Sequence, residues 1–213
     1  MQRTTLSVVT ALIAAAGCVA IAWAAPAKPK AVHKAGPLQA LEQHFRKADA
    51  DLKRGDKPAA AAELRAAAQV LREELASASG SAAKLLRPVP QELDKAASKI
   101  GSLDRQALHR TFARAFQALA AYHARLASTA WAQRQRQKVG GYLQAAGTDL
   151  RRAGTWAGPT VERAYISLAE HALSLADRLF KGSKVSGAEV EKALKGLGER
   201  IGALGRRLQS REK

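Results

Sequence analysis

Apolar residues along this chain recur at steps of three and four rather than two. Leu38, Leu41, Phe45, Ala48 and Leu52 form a first stripe that stops at Gly55, and Asp56 with Pro58 opens the next, which carries Leu64, Ala67, Leu71 and Leu75. Together they predict a helical hairpin. Ser77 to Ser81 interrupts the pattern. Pro88 and Pro90 divide the next stretch, because proline removes a backbone donor and clashes with the preceding turn, and a short helix is expected from Pro90 to Ile100. Ser102 is placed to cap a long central helix whose seam, Leu108, Phe112, Ala115, Leu119, Tyr122 and Leu126, alternates steps of four and three. Gly140 and Gly141 are expected to kink or interrupt it. Leu143, Ala146, Leu150 and Ala153 then lead to a stop at Gly158 and Pro159. Val161, Tyr165, Leu168, Ala172, Leu175 and Leu179 repeat the seam before Gly182. Ser186 and Glu189 spell a capping box ahead of Val190, Leu194, Leu197, Ile201, Leu204 and Leu208.

No run of alternating or β-branched residues competes with these stripes, so the predicted class is all-α. A single apolar stripe is stable only when another helix covers it. Short connections make neighbours antiparallel, which predicts an antiparallel bundle of about five to six helices over residues 37–210. Gly198, Gly202 and Gly205 lie beside the last seam. They are expected to form a groove for a neighbouring helix, the alternative being a loosely held cationic helix that binds a membrane surface.

The N-terminus has a different character. Arg3 precedes an apolar stretch from Leu6 to Ala25 that ends in small residues, the pattern of a secretory signal over residues 1–24, with a flexible Lys/Pro-rich leader over 25–36. This pattern predicts a periplasmic or secreted location. Two alternatives stay open. Ala15, Ala16, Gly17 and Cys18 resemble a lipidation box, and the stretch from Leu6 to Ala25 is near the roughly 20 residues that span a bilayer, so it could anchor the chain.

Charge narrows the choice of partner. Of 213 residues, 35 are Lys or Arg against 18 Asp or Glu, and this surplus points to an anion. It is unevenly placed: seven bases balance seven acids from Leu41 to Leu75, whereas eleven bases meet only Asp104 and Asp149 between Lys95 and Arg152. At 100° per residue, Arg110, Arg114, Arg125 and Arg136 fall opposite the Leu108 to Leu126 seam and are expected to form a solvated basic ridge. Arg134, Lys138, Arg151 and Arg152 join them as candidate anion-binding residues. Trp131, Tyr142 and Trp156 are their candidate aromatic partners, the alternative being that these three rings belong to the core.

Catalytic patterns are missing from the sequence. Cys18 and Met1, the only cysteine and methionine, both lie in the N-terminal apolar segment, which leaves the remainder without thiolate chemistry. His33, His44, His109, His123 and His171 form no metal-ligand spacing, and His109 and His123 are expected at the surface or at a seam edge. No catalytic residue, metal site or cofactor is assigned.

The segment from Phe45 to Leu71, with Gly55 and Asp56 followed by Ala60, Leu64 and Ala67, resembles the helix-turn-helix of tetratricopeptide repeats and a similar hairpin in the periplasmic YfdX family. It spans about one eighth of the chain, has no second copy at the tetratricopeptide period, and lacks that motif's aromatic and proline positions. The YfdX resemblance implies an exported, helical, non-catalytic, stress-related protein and transfers no site residues. The sequence therefore leads to an exported, non-enzymatic bundle that binds an anionic envelope component: anionic lipid, lipopolysaccharide or an acidic polymer. A stress-response or chaperone-like bundle holding client proteins is one alternative. A membrane-anchored nucleic-acid binder is another, although export argues against nucleic acid, and homo-oligomerisation stays open.

Overall fold

The computed structural model describes residues 36–78 and 80–209, and the predicted signal segment and most of the leader lie outside them. Among the described residues there are eight helices and no strand: α1 (Gly36–Lys53), α2 (Lys57–Ser77), α3 (Gly80–Leu86), α4 (Pro88–Ser98), α5 (Arg105–Ala132), α6 (Arg136–Ala157), α7 (Pro159–Phe180) and α8 (Gly187–Gln209). The all-α bundle is as expected. The number of helices is higher because the short α3 is not among those expected and because α5 and α6 are separate helices. None of the described helices is long and apolar enough to cross a membrane.

Local chemistry explains most boundaries. Gly55 adopts φ +80°, and the Asp56 carboxylate accepts a hydrogen bond from the Ala59 amide to cap α2. Gly158 turns the chain between α6 and α7 at φ +83°. Three boundaries differ from the sequence reading, the first being that α4 runs Pro88–Ser98 rather than Pro90 to Ile100. Asp104, not Ser102, caps α5, accepting from the Ala107 amide at 2.6 Å. The chain leaves α5 at Gln133 to Gln135, with Arg134 at φ +58°, and Gly140 and Gly141 lie inside an uninterrupted α6.

α5 sits at the centre of the packing, against α1, α3, α4, α6 and α8. Leu108, Phe112, Ala115, Phe116, Leu119 and Tyr122 are all buried, and Phe45 of α1 stacks on Phe112 at 4.1 Å and meets Phe116 edge-on. Two carboxylates of α1 reinforce this contact. Asp49 receives both Nε and Nη2 of Arg105 at 2.6 and 2.7 Å and lies 2.6 Å from His109 Nε2, while Glu42 bridges Arg46 and Arg152. The Arg105 hydrogen bond is the main reason the Asp49 carboxyl lies below its ordinary pKa. Burial pushes Glu42 up, but Arg46 and Arg152 together outweigh it, so Glu42 is also lowered.

α6 and α7 pack through glycine. Gly140, Gly147 and Gly154 are spaced by seven on α6, which keeps them on one face, and all three are buried. A Cβ at Gly140 would lie 3.0 Å from the Phe180 ring, at Gly147 2.7 Å from Leu173 Cγ, and at Gly154 3.1 Å from Tyr165 Cβ. The α8 glycines behave differently. Only Gly205 is closely approached, by Gln117 of α5, whereas a Cβ at Gly198 meets nothing within 4 Å.

Gly147→Ala is therefore expected to destabilise the fold by about 1–3 kcal/mol, while Gly198→Ala is expected to gain up to about 1 kcal/mol. Chemical denaturation of the two variants tests the contrast. Asp49 and Glu42, both lowered in the folded protein, stabilise it fully above their ordinary values of 3.8 and 4.5, and that stabilisation is lost as pH falls below them. Thermal melts below about pH 4.5 should thus drop less steeply in D49N/E42Q than in the parent.

Candidate functional site

The eight bases expected to bind an anion together fall into three separate groups. Arg110, Arg114 and Arg125 lie on α5 and face its neighbours. Arg114 lies 3.6 Å from Glu92 of α4, the Nε atoms of Arg110 and Arg114 are buried, and Arg125 donates to Ser81 of α3. Arg136 is not on their helix, because extending 100° per residue through the Gln133 to Gln135 turn has no geometric meaning. The expected solvated ridge is thus corrected: of its four members only Arg125 is exposed. Arg151 and Arg152 lie toward the other end of α6, about 24 Å from Arg136 along the axis. There Arg151 is exposed, and Arg152 is held by Glu42 at 2.7 Å with its guanidinium over the Phe116 ring.

The aromatic partners are dispersed too. Trp131, Tyr142 and Trp156 are half-buried and pack on the core, in line with the core reading of these rings. Trp156 lies edge-on to both Phe112 and His109 at 5.0 Å, near the far end of α6. Trp131 supports the start of α8, 3.7 Å from where a Gly187 Cβ would be.

One group does converge. The turn from α5 to α6 meets the loop from α7 to α8, because Arg136 Nη2 donates to the Ser183 carbonyl and the Phe180 ring lies against Gly140. This corner gathers Arg134, Arg136 and Lys138 from one side with Lys181 and Lys184 from the other. Arg134, Lys138 and Lys184 are exposed and form no ion pair among the described residues. Lys181 pairs with Asp177 at 2.8 Å. Phe180, next to Lys181 in sequence and lying against Gly140, is 51% exposed, the most exposed large apolar side chain in the described fold. The corner therefore combines concentrated positive charge with an aromatic ring only partly withdrawn from water. Sequence reading found Arg134, Arg136 and Lys138 but missed Lys181, Lys184 and Phe180, which lie more than forty positions away. The available signal was the Lys181, Gly182, Ser183, Lys184 loop directly after a phenylalanine.

A second departure lies inside the bundle. His123, expected at the surface or a seam edge, is 1% exposed, and its Nδ1 lies 2.8 Å from Oδ2 of the fully buried Asp149. Asp149 Oδ1 has no hydrogen-bond partner, although Arg152 Nη1 lies 3.6 Å away. The chain Glu42, Arg152, Asp149 and His123 thus leads from the half-buried edge of α1 into the core. Neither His123 nor Asp149 lines the groove of about 320 Å³ between α4 and α5 or the larger one between α7 and α8. Among the described residues, no group of three or more His, Cys, Asp or Glu is placed to hold a metal ion.

No family model, curated protein or solved structure matches this chain.

The buried pair makes a clear energetic prediction. Asp149→Ala should cost about 1–3 kcal/mol, because it removes the buried carboxylate that His123 hydrogen-bonds, whereas H123L/D149A should recover part of the loss. Urea unfolding of the single and double variants measures the difference.

Proposed function

We propose that this chain is an exported, non-enzymatic binding protein that docks on an anionic membrane surface through the corner where the turn from α5 to α6 meets the loop from α7 to α8. The observation that carries the reading is Phe180, half in water, at the corner where the segment with Arg134, Arg136 and Lys138 meets the segment with Lys181 and Lys184. Basic residues near an anionic surface contribute about 1 kcal/mol each, and an aromatic ring entering the interface adds an apolar contribution that salt does not screen. The two are complementary: charge brings the corner to the headgroups, and the ring gives it purchase between them. Holding client proteins would require open helix seams, and the seams of α5, α7 and α8 are buried, so the membrane reading is preferred.

Export itself rests on the segment from Leu6 to Ala25, and mass spectrometry of the N-terminus after cell fractionation tests it directly. A mature chain starting near Ala25 is expected.

Docking is tested by co-sedimentation with phosphatidylcholine vesicles with and without phosphatidylglycerol. The parent should bind only the anionic vesicles, and R134Q/K138Q/K184Q should weaken that binding by roughly a hundredfold at low salt. Phe180→Ser should retain the salt-sensitive part and lose the part that survives high salt. Equal binding by the parent and the triple variant would overturn the assignment, and tighter salt-sensitive binding to DNA than to the vesicles would favour the nucleic-acid alternative.

A further inference from the structure

α8 packs chiefly on α5 and only lightly on α7. Its inward stripe is Val190, Leu194, Leu197, Ile201, Leu204 and Leu208, all buried. Two residues of α5 mark where it lies: Gln117 donates to the Ile201 carbonyl, and Trp131 is beside Gly187. Between them, the same face of α5 carries Ala120, Ala121, Ala124 and Ser128, none of them large. Against α5, the large aliphatic side chains of the contact thus come from α8 itself. Three glycines weaken α8 without bringing it close to anything. A Cβ at Gly196 or Gly198 would meet nothing within 4 Å, and one at Gly202 would meet only Arg206 of the same helix. The outer face is basic. Lys192, Lys195, Arg200 and Arg206 are exposed and form no ion pair among the described residues, while Glu189 is held by Arg178 of α7.

A strong apolar stripe backed by a basic face is the pattern of a helix that lies in the plane of a membrane interface. α8 also starts at the corner, just beyond a loop in which Gly182 adopts φ +67°. We infer that α8 is a detachable lipid-binding helix. Once the corner has docked, α8 pivots about the Lys181 to Ser186 loop, leaves α5, and lays the Val190 to Leu208 stripe among the acyl chains of an anionic bilayer, with its four free bases at the headgroups. The inference rests on the corner reading. The stripe is covered before and after the move, so lipid replaces one apolar cover by another. The α5 face left behind is mostly alanine, which has little apolar area to expose, and at the α7 edge only Leu168 and Leu175 lose contact with Leu197. Water offers no such replacement, which is why the seam is closed in the free chain. The swing follows the seating of Phe180 beside the hinge, so both salt-resistant contacts are lost together in Phe180→Ser.

Spin labels at G198C on α8 and T148C on α6, both exposed positions, test the inference in a C18S background by pulsed electron spin resonance. Gly198 lies eleven residues beyond Gly187, a lever of about 16 Å, so vesicles containing phosphatidylglycerol should shift the distance between labels by about 15 Å. Phosphatidylcholine vesicles should leave it at the solution value, and so should R134Q/K138Q/K184Q with either lipid. K192Q/K195Q/R200Q/R206Q should still co-sediment through the corner while its shifted fraction falls by about tenfold. Co-sedimentation of the same samples separates the two readings. Sedimentation with an unchanged distance would overturn the detachment of α8 and leave corner docking standing, whereas no sedimentation of the parent would overturn both. An equal shift with DNA in place of vesicles would also overturn the inference, because DNA offers the apolar stripe no cover.

Discussion

The contact on which the arrangement depends is the close approach of α6 and α7 across Gly140, Gly147 and Gly154. Leu173, Tyr165 and Phe180 occupy the space that three Cβ atoms would take, so the α7 side chains rest almost directly on the α6 backbone. Tight packing of this kind fixes α7 along the whole of its length. It also determines where α7 ends. Because Phe180 is seated on Gly140, the loop after it arrives beside the turn from α5 to α6, and bases from two distant stretches of sequence become neighbours. The positive corner is thus a consequence of helix packing and not of any local run of charge.

The sequence revealed the helices well because their signals are local. Gly55 with Asp56, Pro88, Gly158 with Pro159, and Gly182 act through backbone conformation within a turn of where they stand, and each marks a boundary in the structure. Ser186 likewise accepts from the Glu189 amide as the capping pattern implied, although the Glu189 carboxylate turns to Arg178. The errors have a common physical origin. Glycine inside a helix has two meanings, a weak point or a place of contact, and only the neighbouring helix decides which applies. Gly140 proved to be a contact, and the chain turned instead at Arg134, whose φ of +58° no propensity would have suggested.

Side-chain partners were the least legible level. His123 and Asp149 are twenty-six positions apart and meet only because α5 and α6 pack antiparallel. The charge count identified the middle of the chain as basic but could not tell which arginines would be recruited to hold helices together. Arg105 and Arg152 are tied to carboxylates of α1, which by charge alone belongs to a neutral and separate hairpin. Net charge survives folding, but its availability does not. The unpaired bases at the corner are among those that remain once the internal ties are made.

Arg134 has one further implication. A left-handed backbone costs a β-carbon-bearing residue on the order of 1 kcal/mol that glycine would avoid, and this turn carries that penalty at its exposed tip. The outlay is modest, yet it sits at the spot where a cation is most accessible to whatever approaches from outside. Shape alone would be better served by an uncharged, unencumbered hinge, so the tip is a compromise between chain geometry and electrostatic reach.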